Sequence, residues 1–333
     1  MKKIFAFLLV ACIVVSSGLT LAVAEGKDAA DIRVAGIVFQ DDQFMNMLTQ
    51  GYVDAAQAQG VTILTDNTNN DAAKEVELIN TYLAQKIDGL VIAPLNAAAS
   101  VAALRDADAQ GMKVALTNID LNDAEFIVAG YTSNDYNNCH LAGTEAAEII
   151  KEKNVEGTLK VAILQFASQL PDISKSRVDG YLDALTENGI AFEVVANQDA
   201  WLQDTALETA SSIITVNPDL DVIITVNDGG TIGSVTAVTN AGLADKIMVF
   251  GHDGSDQISS MVLDDASPLQ SVIAQDPYGQ GFKAMTALID AIKGGDYSET
   301  KGKCVYLDGI ILSARDKDNV NSWRESNGLE PVQ

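Results

Sequence analysis

The sequence predicts an α/β protein of two wound lobes, each a parallel sheet with helices on both faces, and three observations carry that expectation. After Asp31, short apolar runs alternate with longer amphipathic ones, the pattern of parallel strands joined by crossover helices. The 333 residues exceed one domain at roughly 150 residues per domain. No Gly/Ser-rich or low-complexity tract separates the halves, so short crossings rather than a loose tether are expected to join them.

Taken in order, strands are expected at 32–39, 61–65, 89–93, 113–117 and 126–130, then at 159–165, 191–196, 221–226, 246–251 and 269–274. Between the first two, Phe44, Met47, Leu48, Tyr52, Ala55 and Ala56 recur at three- and four-residue spacing over 44–59, and Gly60 stops the run. That is a helix with one buried face. Gly111, Gly189 and Gly242 close three further helices in the same way. The polar stretch Thr132-Ser133-Asn134-Asp135 precedes a helix at 139–152 and marks one crossing between lobes. Gln275-Asp276-Pro277 precedes a helix at 278–293 that no expected strand follows, and marks a second.

At the N-terminus, Lys2 and Lys3 precede an apolar run over 4–15 and a small-residue site, Ala22-Val23-Ala24, so residues 1–24 read as a secretory signal peptide. The run is shorter than the roughly 20 residues a membrane span needs. Leu9-Val10-Ala11-Cys12 resembles a lipobox only loosely, with Cys12 inside the apolar run. An exported chain with no other anchor is the expectation. Its 21 Lys+Arg against 46 Asp+Glu give a formal charge of −25, a field that repels nucleic acids and anionic membrane faces. Cys139 and Cys304 follow the signal in a compartment where disulfides persist, and sequence leaves open whether they bridge or are buried apolar residues.

Several chemistries lack their parts. The chain holds only His140 and His252 and no Gly-x-Ser-x-Gly elbow, so a His-centred triad is not expected. No Cys-x-x-Cys or His-x-x-x-His spacing suits zinc. The run from Asp66 to Asp71 lacks the Gly and distal Glu of a calcium loop and reads as a solvated strand-to-helix connection. Asn227-Asp228-Gly229-Gly230-Thr231-Ile232-Gly233 has neither P-loop nor dinucleotide spacing, and Asp228 would repel a phosphate. Neither cofactor nor metal is expected.

Ligands of open α/β sheets bind outside the carboxyl ends of the strands, so the residues just past each expected strand are the informative ones. They are Gln40-Asp41-Asp42-Gln43-Phe44, Pro94-Leu95-Asn96, Asn118-Ile119-Asp120, Asn227-Asp228, His252-Asp253 and Gln275-Asp276. Carboxamides and carboxylates around one cleft suit a polyhydroxylated neutral ligand, whose hydroxyls both donate and accept. Phe44 and Trp201 supply flat apolar faces for the C–H surface of a sugar ring.

With these residues in place, the chain resembles the periplasmic sugar-binding proteins of ABC transporters, in the ribose-binding-like family, over essentially its whole length after the signal. The resemblance lies in Phe44 before a helix with Gly51, in Asp88-Gly89-Leu90-Val91-Ile92-Ala93-Pro94, Ser133-Asn134-Asp135 and Arg177-Val178-Asp179-Gly180-Tyr181, and in Asn227-Asp228 and Val249-Phe250-Gly251-His252-Asp253-Gly254. It implies the type I periplasmic binding protein fold, two Rossmann-like lobes joined by a three-segment hinge, with 25–132 plus 276–306 in one lobe and 133–275 plus 307–333 in the other. It further implies that Asp42 and Phe44 form the first contact loop, with Met45 where a second aromatic is frequent and Ala93 where an asparagine is common. Asn118 matches a sugar-binding carboxylate, Ile119 replaces a frequent arginine, Arg177 matches the binding arginine of the second lobe and Trp201 its stacking aromatic. Asn227, Asp253 and Gln275 match the remaining polar contacts, and His252 lies on the cleft wall.

The expected function is capture of a neutral monosaccharide or polyol by lobe closure, in the periplasm and as a monomer, with delivery to a membrane permease of an ABC transporter. A chemoreceptor or sensor kinase is an alternative partner. A LacI-type repressor shares the two-lobed core but carries a helix-turn-helix where this chain has a signal. An exported sugar-acting enzyme would need acid and base on opposite sides of a scissile bond, and adjacent Asp41 and Asp42 do not flank one.

Overall fold

The computed structural model describes residues 27–95, 97–153 and 157–332; the expected signal segment, Cys12 within it, and Asn96 lie outside them. The chain first runs through β1 (Arg33–Val38), α1 (Gln43–Ala58), β2 (Thr62–Asn67), α2 (Ala72–Ala84), β3 (Gly89–Ile92), α3 (Ala97–Ala109), β4 (Lys113–Thr117) and β5 (Gly130–Ser133). A second series follows: α4 (Asp135–Glu152), β6 (Leu159–Gln165), α5 (Pro171–Glu187), β7 (Phe192–Asp199), α6 (Gln203–Val216), β8 (Val222–Thr225), α7 (Asp228–Asn240), β9 (Met248–His252), α8 (Asp256–Leu263) and β10 (Leu269–Ala274). The chain ends with α9 (Pro277–Ile292), β11 (Cys304–Leu307), β12 (Ile310–Ser313) and α10 (Lys317–Ser326).

Two six-stranded sheets result, in the orders β11-β5-β4-β3-β1-β2 and β12-β10-β9-β8-β6-β7. Strand alternation feeds two cores per sheet. In β1, Val34 and Val38 pack with Tyr52 of α1 and Met285 and Leu288 of α9, while Ala35 and Ile37 face Ile79 and Tyr82 of α2 and Leu104 of α3. The second sheet is covered by α4 and α5 on one face and by α6, α7, α8 and α10 on the other. The two-lobed α/β reading therefore holds, with helices on both faces of each sheet.

The helix starts follow from capping. Asp42, Asp71, Asn227, Ser255, Asp276 and Asp316 each accept a backbone N–H two or three residues on, satisfying donors the first helical turn leaves free. Asp71 ends the 66–71 connection in this way. Ser255, two residues past the strand-end Asp253, caps α8.

Three expectations need correction. The strand expected at 126–130 is β5, displaced to Gly130–Ser133; it meets β4 at only two residue pairs and takes its register from β11, Cys304 opposite Gly130 through Leu307 opposite Ser133. A partner so distant in sequence leaves no trace in the local pattern. β11 and β12 themselves went unforeseen, being four-residue strands at or near a sheet edge with little apolar alternation. β12 also runs antiparallel to β10, so the second sheet is parallel except at that edge. Helix α4 begins at Asp135, four residues ahead of the expected 139.

The chain passes between the two sheets three times, after β5, after β10 and between β11 and β12. The passages are tied together: Asn134 N donates to Leu307 O at 3.3 Å, and Gly309 N donates to Asn138 Oδ1 at 2.9 Å. Fully buried Gln280, one turn into α9, donates through Nε2 to Ser133 Oγ at 3.0 Å. Cys139 is buried on α4 and Cys304 half-buried on β11, and both are free thiols.

Helices α1 and α9 approach closely through glycines. A Cβ on Gly51 would lie 2.3 Å from Tyr278 O, and one on Gly281 would lie 2.3 Å from Leu48 O. Neither backbone oxygen can swing aside. Gly51→Val is expected to cost about 1–3 kcal/mol of stability by overpacking this seam, read as a lower urea midpoint at unchanged slope; an unchanged midpoint would show that the helices separate freely.

Candidate ligand-binding cleft

In each sheet order the strand progression reverses, between β1 and β3 in one and between β6 and β8 in the other, and binding crevices open at the carboxyl ends beside such points. The loops after β1 and β6 and the start of α7 after β8 meet there, face to face. The compartment between them is lined from the first sheet by Phe39, Gln40, Asp42, Phe44, Met45 and Asn118. From the second come Phe166, Gln169, Leu170, Ile173, Arg177, Asn227, Asp228, Asp253 and Gln275. It leaves about 40 Å³ for solvent-sized atoms, room for about three waters at ~10–15 Å³ each. The lobes are shut on it.

Arg177 is the organising cation. Helix α5 carries it on its inner face, where Nε donates to Asp135 Oδ1 at 2.6 Å, Nη1 to Val226 O at 2.9 Å and Nη2 to Gln275 Oε1 at 3.5 Å. Its guanidinium lies 5.3 Å from the Phe166 ring centroid, a cation–π arrangement. Gln275 Nε2 in turn donates to Asp253 Oδ1 at 2.6 Å, and Asp253 Oδ2 accepts Asp228 N at 3.0 Å. Asn227 caps α7 through Oδ1, and its Nδ2 donates to Trp201 O at 2.8 Å. Each polar side chain is thus oriented before a ligand arrives.

Two lining residues hold left-handed backbones, Asn118 at φ 66° and Asp253 at φ 70°. Asn and Asp tolerate that region better than other non-glycine residues, and such strain gathers at functional sites. For Asn118 the surroundings enforce it: its N–H reaches Tyr131 O at 3.1 Å and Gln280 Oε1 at 3.2 Å, and its carbonyl accepts Thr132 Oγ1 at 2.6 Å.

Contacts cross the cleft directly. Gln169 Nε2 donates to Gln40 Oε1 at 2.7 Å and to Asn70 Oδ1 at 2.6 Å, the Phe44 N–H donates to Asp228, and Leu170 packs against hydrophobic cores of both lobes. Three carboxyls meet in this dry space. Burial, then the Asp228 charge, pushes Asp42 up to about 7. Burial and the Asp253 charge push Asp228 up to about 6, and burial outweighs Arg177 to bring Asp253 to about 6 as well.

Of the residues singled out from sequence, Asp42, Phe44, Met45, Asn118, Arg177, Asn227, Asp253 and Gln275 line this one compartment. Ala93, Trp201 and His252 do not. Ala93 is fully buried in the first lobe's core, its N–H on Ile37 O. His252 is fully buried beneath the cleft with Nδ1 3.4 Å from Cys139 Sγ; burial, aided by Arg177, holds its pKa well below the usual imidazole value. Trp201 borders a separate recess with Asp41, Gln43 and Asn46, so the aromatic face provided by the second lobe is Phe166. Sequence reasoning passed over Phe166 and Gln169, and took Asp135 as part of a crossing rather than as the partner of Arg177. Phe166 was within reach, as the first residue past the expected strand 159–165.

A two-lobed α/β chain whose polar and aromatic cleft lies at paired switch points is a bilobed solute-binding protein. The family model described as a periplasmic binding protein domain matches residues 34–296, and the chain belongs to that family. It is a binding protein, not an enzyme. A D-apiose import binding protein of Actinobacillus succinogenes is 25% identical over 285 residues, 85% of this chain and 88% of its own. An ABC transporter periplasmic solute binding protein of the same species, solved with bound D-allose, superposes with a TM-score of 0.76 at 24% identity, covering 86% of this chain and 99% of that one. An ABC transporter solute binding protein from Bacillus halodurans with bound myo-inositol gives a TM-score of 0.78 at 15% identity, covering 90% and 99%. Both structural likenesses carry the fold.

The raised carboxyls set a pH dependence whose sign runs against the usual carboxylate case. Between their ordinary value of 3.8 and about 6–7 the folded protein binds more protons at these sites than the unfolded chain does, so their contribution to stability falls as pH rises through that window. Asp42→Asn keeps the cap of α1 and removes one charge. The variant's denaturant midpoint is expected to fall less than the wild type's between about pH 5 and about pH 8; parallel profiles would show that folding does not raise Asp42.

Proposed function

We propose that this chain is an extracytoplasmic solute-binding protein that captures a neutral monosaccharide or related polyol between two closing lobes and hands it to an ABC permease. The observation that carries the reading is the inner compartment itself: Phe44 and Phe166 as apolar faces, and around them Asn118, Arg177, Asn227, Asp253 and Gln275, held by their neighbours with lone pairs and N–H groups to spare for hydroxyls. The names and ligands of the relatives, D-apiose, D-allose and myo-inositol, agree with it.

In this reading the lobes are 25–132 with 276–306 and 133–275 with 307–333, and the three passages between the sheets are the hinge. Gln169 bridges the walls to Gln40 and Asn70, so the lobes must part to admit a ring, and ligand contacts to both walls then favour the closed population. The segment 1–24 directs export, and the periplasm is the working compartment. A chemoreceptor or sensor kinase that reads the closed form is an additional partner compatible with transport.

A thermal-shift panel of D-allose, D-ribose, D-apiose, myo-inositol, deoxy-sugars, amino acids and nucleosides tests the reading on the secreted protein. A true ligand at a thousandfold over its Kd stabilises by about 4 kcal/mol, a shift of several degrees. Asp253→Ala is expected to abolish saturable binding and Phe44→Ala to weaken it by about tenfold, the loss of one stacking face. A response confined to amino acids or nucleosides would overturn the proposal.

A further inference from the structure

The cleft does not end at the inner compartment. Past Asn118 and Leu170, which line both spaces, it widens on the side of β5 and β11 into a second compartment with about 450 Å³ for solvent-sized atoms, against about 40 Å³ within. That is the scale of small-molecule sites, ~300–1,000 Å³. In the closed form, most of the ligand-sized room therefore lies outside the group of residues that the sugar reading uses.

The walls of this second space have a chemistry of their own. The side chains of Asn122, Asp172 and Ser176 border it and make no hydrogen bond to other described residues, leaving a carboxamide, a carboxylate and a hydroxyl free. Tyr306, from β11, is 53% exposed there, and its hydroxyl donates to Asp120 Oδ2 at 2.5 Å, which tethers the end of the ring. An exposed aromatic ring in one space with unpaired polar groups matches a hydroxylated ring. No lysine or arginine lines the space, while Asp120, Asp135 and Asp172 do, so a phosphate or carboxylate substituent is excluded.

We propose that the cleft takes a two-ring carbohydrate, one ring in the inner compartment and a second hydroxylated ring, O-glycosidically linked to it, in the hinge-side compartment against Tyr306. This rests on the sugar-binding reading of the inner compartment and adds a second subsite to it. Ile119, an apolar residue, lines the same side, where a linked ring has to pass.

Calorimetric titration of the full secreted protein tests it, with D-glucose, D-galactose and myo-inositol set against cellobiose, lactose, melibiose and galactinol. At least one two-ring probe is expected to bind about tenfold or more tightly than either of its component rings. Tyr306→Ala, at an exposed position, is expected to remove that gain while leaving single-ring affinity within about twofold, and Ser176→Ala to reduce it independently. Single rings that bind with no gain from any linked ring, or a gain that survives in both variants, would overturn the second subsite and leave the sugar reading standing. Failure of every single and linked ring to bind would overturn both.

Discussion

The guanidinium of Arg177 is the interaction on which the rest of the cleft depends. Its partners come from three places: Asp135 at the first passage between lobes, Val226 at the carboxyl end of β8 and Gln275 at the second passage. A buried charge is tolerated only when paired and hydrogen-bonded, so these three segments are bound to a common centre. Asp135 lies at the start of α4 and Gln275 just past β10, which places two passages between the sheets and the cleft wall around one side chain. Loss of Arg177 would leave Asp135 buried without its cation, a defect that reaches α4 and the passages as well as the cleft.

Around that centre, closure gathers charge that solvent no longer screens. Asp42 arrives from the first lobe and Asp228 and Asp253 from the second, and their raised pKa values record both the dryness of the space and their mutual repulsion. The same three groups are structural: Asp42 caps α1, Asp228 accepts the Phe44 and Gly229 amides, and Asp253 accepts Gln275 and the Asp228 amide. A ligand with several hydroxyls suits this arrangement because it supplies donors to carboxylates already half satisfied. Across the cleft, Gln169, Leu170 and the Phe44 amide hold the two walls together against the repulsion of these carboxyls.

Much of this was legible in the sequence because its cause is local. Apolar alternation marks the buried strands, glycine stops mark the helix ends, and strand-end positions gather polar residues. Asp42, Asn118, Asn227 and Gln275 stood out for that reason, and Asp42 and Asn227 also cap the next helix. What remained hidden depends on partners remote in sequence. β5 is placed by β11, a short strand with two half-exposed residues, and nothing near residue 130 records that pairing. Phe166 comes one residue past β6 and Trp201 two past β7, and the fold sends the first to the inner compartment and the second to a separate recess. His252 stands beside Asp253 but, as the last residue of β9, is turned inward to Cys139 and fully buried.

Asn118 shows how one wall of the cleft is tied to the seam between the sheets. Its left-handed backbone is held by Tyr131, by Thr132 and by Gln280, and Gln280 also grips Ser133 at the end of β5. Gln280 belongs to α9, which begins directly after the second passage, so one buried carboxamide fastens that helix to the strand from which the first passage leaves. A buried donor or acceptor that loses its partner costs about 1–3 kcal/mol, and these bonds, all made within the first sheet and its helices, hold the strained backbone in place. Asn118 lines both the inner and the hinge-side compartments, so the same few bonds set one wall of each.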